Sequence, residues 1–194
     1  MLNEKLKEFH LILASGSPRR QQFFKDLDLD FEIRLKEIEE LYPEHLKAEE
    51  ITNFLAQLKA NAFEGELKAN DILITSDTIV WHQNQCLGKP KDYPEAFQML
   101  QKLSDATHQV ITSVCLKTVD RSETFHAITH VTFKPLTDDE IRYYLDHYQP
   151  FDKAGSYAIQ EWIGSVGISK VEGSYTNVVG MPMHLVYRKL MQLK

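Results

Sequence analysis

Ser15-Gly16-Ser17-Pro18-Arg19-Arg20 follows directly on the apolar run Leu11-Ile12-Leu13-Ala14. A short strand that ends in small residues and reopens as a helix at a proline leaves unpaired backbone N–H groups at the helix start. Those donors, with two guanidiniums in the first turn, favour an anion such as a polyphosphate. Ser15 and Ser17 add hydroxyl donors, and Gly16 lets the backbone approach a ligand closely. Neighbouring helical residues diverge by roughly 100°, so Arg19 and Arg20 can face one ligand together only at the first turn. The same residues also read as an ordinary helix start, with Ser17 as its cap and both arginines in solvent.

Further along, Asp77 follows the buried run Ile72-Leu73-Ile74 and precedes Thr78. A carboxylate at a strand end can hold a divalent metal or orient water, and it is equally a common turn former. Glu39 and Glu40 lie in an acidic stretch that either supplies a second carboxylate or is simply a solvated charge run. Lys59 borders the Leu55/Leu58 stripe, from where it can snorkel to solvent or point into a cleft. Lys89, between Gly88 and Pro90, is a cation on a restricted backbone and suits a phosphate contact. His126 and His130 have a metal-ligand spacing for a helix, but their surroundings are β-like, so they are not read as ligands. Neither GxxxxGK[ST] nor GxSxG occurs, and no Cys/His pair has local support. Metal-assisted attack of water on a phosphate is therefore better supported than P-loop or covalent chemistry.

The elements that must position these groups alternate along the chain. Residues 10–14 and 31–35 read as strands, and 19–27 as a short helix bearing Phe23, Phe24 and Leu27. Ile51, Leu55, Leu58 and Ala62 define a helix over 48–67. A buried strand over 71–76 ends at Asp77-Thr78, Ile79-Val80-Trp81 continues as a strand, and Gln83-Asn84-Gln85 forms a turn. Pro94 opens a helix with the stripe Ala96, Phe97, Leu100 and Leu103. Stretches 109–119 and 124–133 form a hairpin about Asp120-Arg121. Thr137-Asp138-Asp139-Glu140 is a capping box for a helix over 138–147. Residues 149–165 read as irregular, 166–172 as a strand and 182–193 as the closing helix. Strands and helices mixed throughout give an α/β (mixed α+β) class, on a chain of 194 residues without repeats or an evident linker. One domain over 1–194 is expected.

The formal net charge of −6 argues against a nucleic-acid binder and favours a small anionic ligand met by local cations. The two cysteines, Cys86 and Cys115, lie far apart and form no CxxC pair. With a charged N-terminus and no membrane-length apolar run, they place the expected site of action in the cytoplasm, away from membranes.

Three segments together resemble the Maf family of nucleoside triphosphate pyrophosphatases. They are Leu13–Arg20; Ser76-Asp77-Thr78-Ile79-Val80 with Gly88-Lys89-Pro90-Lys91-Asp92; and Asp152–Gln160 with Glu172–Pro182. Their order and approximate spacing match over nearly the whole chain. The resemblance implies a twisted mixed sheet flanked by helices, Maf/inosine-triphosphatase-like, in two lobes around a central cleft. It implies hydrolysis of a nucleoside triphosphate to the monophosphate and pyrophosphate with a divalent cation, usually Mg²⁺, with Mn²⁺ as the alternative. Asp77 matches the catalytic carboxylate near the metal, and Glu40 a second acidic group there. Arg20, Lys59 and Lys89 match phosphate-binding cations, beside Ser15 and Ser17. Arg19, Thr78 and Gln160 match the positions that separate subgroups, and this combination resembles the subgroup acting on dTTP and UTP, with modified pyrimidine nucleotides as an extension. A homodimer is common in the family. The rival readings are a related pyrophosphatase for another base and a non-catalytic nucleotide-binding regulator of cell division. Ser76, Ala158 and Glu161 depart from the usual pattern, the last two beside the base-recognition segment.

Overall fold

A computed structural model describes residues 1–193. Its strands form one mixed sheet in the order β2-β1-β3-β5-β6-β7, with β4 paired to β3. They span His10–Leu13 (β1), Phe31–Ile33 (β2), Asp71–His82 (β3), Gln85–Leu87 (β4), Thr107–Lys117 (β5), Ser122–Phe133 (β6) and Ile168–Glu172 (β7). The helices are Leu2–Leu6 (α1), Pro18–Asp26 (α2), Glu49–Asn61 (α3), Tyr93–Leu103 (α4), Asp138–Tyr148 (α5), Trp162–Gly167 (α6), Tyr175–Val179 (α7) and Met183–Met191 (α8). Among the described residues no helix is long and apolar enough to cross a membrane. The chain divides into two compact units: Met1–Asp77 with Thr112–Ala127 and the stretch from Gly180 onward, and Thr78–Ile111 with Ile128–Val179.

In the first unit β1 pairs in parallel with both β2 and β3. Parallel strands are covered on both faces, which is why they read as unbroken apolar runs. Successive residues alternate sides: Leu11, Leu13, Ile72 and Ile74 pack with Phe24, Met181, Val186 and Leu190. Ile12 and Leu73 turn the other way, onto Ala56, Ala60, Phe63 and Cys115. Leu2 and Leu6, four apart on α1, join the first of these cores. Five residues are too few to show helical periodicity, so α1 is not apparent from sequence.

The helix expected over 48–67 stops at Asn61. Gly65 takes a left-handed φ of 75°, and Lys36 Nζ donates to the Ala62 carbonyl at 2.6 Å, supplying the partner a further turn would have given. The strand expected to end at Asp77 instead runs unbroken to His82. Asp77 therefore sits in mid-strand, because Ile79 and Val80 continue the buried pattern and Val80–His82 pair with β4. The turn that joins β3 to β4 has Gln83 and Asn84 at φ 48° and 60°, the paired left-handed conformation of a tight hairpin.

In the second unit Val80, Leu100, Leu103, Val110, Phe133, Ile141, Tyr144 and Tyr157 form the core. The Thr137–Glu140 capping box is present on α5. Residues 149–165, expected to be irregular, contain the start of α6, whose two glycines hide its helical character.

His108 lies in this core, stacked on Phe133 at 5.7 Å, with its Nε2 2.7 Å from the Tyr157 hydroxyl. Burial, reinforced by the charge of His82, pushes its pKa from 6.5 down to about 3. A base whose folded pKa is depressed contributes stability present above its unfolded pKa and lost as pH falls toward the folded one. Between pH 7 and 5 the wild-type protein should lose about 2 kcal/mol from this residue. Urea unfolding at both pH values should show that loss shrinking in His108→Phe.

Candidate active site

Lys59, on the last turns of α3, reaches two carboxylates at once. Its ammonium lies 2.7 Å from Asp77 Oδ1 and 2.9 Å from Glu40 Oε1. The Asp77 side chain is only 9% exposed, whereas that of Glu40 is 53% exposed. One acid of the pair is thus embedded in the sheet and the other hangs from an open loop. Burial pushes the Asp77 carboxyl above its ordinary range. The Lys59 contact and the charge of Arg20 pull it back, and Glu40 pushes it further up.

The turn after β1 supplies the opposite charge. Ser17 occupies the helix N-cap position, but its side chain makes no capping hydrogen bond; its backbone N–H donates to Ser15 Oγ at 3.3 Å. Ser15 is buried and Ser17 half-buried. Arg20 turns inward: Nε donates to the Gly180 carbonyl at 2.8 Å, and a terminal nitrogen donates to the Ser76 carbonyl at 3.1 Å and to Ser15 Oγ at 3.4 Å. The guanidinium is therefore tied to the residue immediately before Asp77. Burial pulls its pKa below the ordinary arginine value, opposed by the charge of Asp77. Arg19 is half-buried beside it, and its positive charge also lowers the Arg20 pKa.

Ser15, Ser17, Arg19, Arg20, Glu40, Lys59 and Asp77 all fall in the first unit; Thr78, Lys89 and Gln160 fall in the second. Thr78 follows Asp77 on β3, where the pleat turns its side chain to the opposite face. Lys89 is exposed on the loop after β4, and Gln160 is exposed just before α6. Within the second unit their segments meet, since the Gly155 N–H donates to the Gly88 carbonyl at 3.0 Å. Gly155 has φ 67°, and a Cβ there would lie 2.8 Å from a Val80 methyl, so glycine is required. Sequence reasoning missed the carbonyls of Ser76 and Gly180 as the anchors of Arg20. Backbone acceptors leave no residue-type signal, although Gly180 lies in the last of the recognised segments. Among the described residues no group of three or more His, Cys, Asp or Glu is gathered as a metal site; Asp77 and Glu40 form a pair.

A mixed α/β protein with a buried acid, a shared ammonium and an arginine locked beside the Ser15–Ser17 turn is the class these features define. Residues 10–193 match the family described as Maf-like protein, and the chain belongs to that family. It is 66% identical over 193 residues to a dTTP/UTP pyrophosphatase of Flavobacterium johnsoniae, covering 100% of both chains. It is 63% identical to a protein of the same name from Flavobacterium psychrophilum, covering 98% of each. Identity to the Bacteroides fragilis protein of that name is 48%, over 97% of this chain and 98% of the relative. Among solved structures, a nucleoside-triphosphatase/dITP/XTP pyrophosphatase from Mycobacterium abscessus gives a TM-score of 0.49 at 10% identity, covering 96% of this chain and 100% of that one.

The charge arrangement makes a directional prediction. In metal-free protein held with chelator, Lys59→Met should raise the Asp77 pKa, because an attraction that favours the carboxylate is lost. Glu40→Gln should lower it, because a like charge is lost. Carbon NMR titration of the Asp77 carboxyl reads both shifts; a common direction for the two variants contradicts the assignment.

Proposed function

We propose that this chain is a nucleoside triphosphate pyrophosphatase that hydrolyses dTTP and UTP to the monophosphate and pyrophosphate, by attack of water on the α-phosphorus. The observation that carries the reading is the Lys59 ammonium shared by buried Asp77 and exposed Glu40, with an arginine fixed between the Ser15–Ser17 turn and the strand that bears Asp77. The names of the three relatives support the same substrates.

In this reading Asp77 takes the proton of the attacking water. A carboxylate whose pKa is raised by burial is a stronger base than an ordinary one, and its position in mid-strand fixes its direction. Arg20, Lys59 and Lys89 balance the charge of the triphosphate and of the departing pyrophosphate, with Ser15, Ser17 and the start of α2 adding neutral donors. Because Arg20 donates to two carbonyls, its guanidinium is held in one orientation. Arg19, Thr78 and Gln160 select the base. A glutamine amide presents one donor and one acceptor side by side, which suits the imide edge of uracil or thymine.

The two oxygen donors of Asp77 and Glu40 fit Mg²⁺, or Mn²⁺ in its place, since such ions take one or two protein carboxylates and fill their shell with phosphate and water. Bound there, the ion would neutralise developing charge on the phosphates. We place the enzyme in the cytoplasm, where these nucleotides are met.

Release of pyrophosphate from a panel of nucleoside triphosphates with Mg²⁺ tests the proposal, with UTP and dTTP expected to lead. Asp77→Asn should lower turnover by at least about 100-fold, the usual scale for a general base, while UTP binding measured by calorimetry persists. Binding without turnover in the wild-type protein would overturn the enzymatic reading, and near-normal turnover in the variant would remove Asp77 from the chemistry.

A further inference from the structure

Gln160 is exposed, and the residues leading to it have only short helical turns. Such a segment would ordinarily be mobile, yet it is fastened on both sides. Tyr144, wholly buried on α5, accepts a hydrogen bond from the Ala158 N–H at 3.1 Å and donates its own hydroxyl hydrogen to Glu161 Oε2. The other oxygen of Glu161 lies 3.5 Å from Lys153 Nζ. A single phenol thus bridges the residues two before and one after Gln160.

A second fastening is steric. The Glu161 N–H donates to the Ala158 carbonyl at 3.1 Å, and the Gly164 N–H donates to the Glu161 carbonyl at 3.0 Å. This winds the start of α6 back over the segment. Gly164 sits so close that a Cβ would lie 1.8 Å from the Ile159 carbonyl oxygen, a contact with backbone that no side-chain rotation relieves. Trp162 packs on Tyr143 of α5 at 4.8 Å, which holds the same start of α6 in place.

We propose that Tyr144, Glu161 and Gly164 are positioning residues for base selection: they lock the backbone of residues 158–161 so that the Gln160 amide meets the base in one orientation. The proposal rests on the reading that Gln160 contacts the base. A glutamine distinguishes a donor–acceptor edge only if its amide plane is held, because a rotated amide presents oxygen where nitrogen is needed. Its side chain is flexible, so the part of the ordering cost that can be removed beforehand lies in the backbone that carries it. Core packing alone does not require a buried hydroxyl that both accepts from Ala158 and donates to Glu161; a phenylalanine would fill the same space.

The test compares kcat and KM for UTP and CTP across variants, with melting temperature recorded for each. Gln160→Ala should reduce the UTP-over-CTP ratio of kcat/KM. Tyr144→Phe should reduce the same ratio about fivefold, the scale of one net hydrogen bond, mainly through KM for UTP. Combined with Gln160→Ala it should produce no further loss. Glu161→Ala should act like Tyr144→Phe, whereas Glu161→Gln, which still accepts from Tyr144, should retain most of the ratio. Glu161 is partly exposed, so its variants report even if Tyr144→Phe or Gly164→Ala folds poorly. Equal losses for UTP and CTP in Tyr144→Phe and Glu161→Ala, with Gln160→Ala still lowering the ratio, would overturn the positioning role alone. An unchanged ratio in Gln160→Ala would overturn the base contact itself.

Discussion

The arrangement of the first unit depends on one ammonium group. Without Lys59, the β3 strand would carry a carboxylate into a largely water-free position with one favourable charge fewer, that of Arg20 remaining. Desolvation would then drive that carboxyl toward its neutral form. Lys59 keeps Asp77 ionisable while leaving it buried, and it holds Glu40 of the loop after β2 at the same point. The site is thus assembled around a cation from three separate stretches of sequence: a helix end, a mid-strand residue and an acidic loop.

Arg20 plays the complementary part. Its hydrogen bonds to the carbonyls of Ser76 and Gly180 join the start of α2 to the strand that bears Asp77 and to the segment leading into α8. A lysine could not reproduce this, since the geometry uses the planar fork to reach two acceptors at once. The second unit uses neutral devices for the same end. Gly155 permits a left-handed turn against Val80, and the Gly155–Gly88 backbone bond holds the Lys89 loop to the segment that leads to Gln160.

Much of this was legible because apolar periodicity and punctuation are local. Ile72-Leu73-Ile74 announces a buried strand and Thr137–Glu140 a helix start, and both are found where expected, while the turn read over Gln83-Asn84-Gln85 is confined to its first two residues because Gln85 opens β4. The side chains of the candidate site were legible as types. Their convergence was not, because nothing in the spacing of Glu40, Lys59 and Asp77 shows that one ammonium serves both acids. Asp77 looked like a strand terminus because an acid in a buried run is ordinarily a stop. The strand continues because its charge is met from α3. α6 was hidden by glycines whose reason, the Ile159 carbonyl against Gly164, exists only in three dimensions.

The uninterrupted course of β3 has a consequence for the quality of the folded population. Side chains on a strand alternate faces, so a pairing error of one residue would turn Asp77 away from Lys59 and bring a different side chain to meet it. The apolar runs on both sides of Asp77 would be inverted in the same event. Such a chain would hold an unneutralised carboxylate and a scrambled core, and would be open to proteolysis. Inactive molecules and unstable molecules would then be the same molecules, so degradation of the unstable ones also purges the inactive ones.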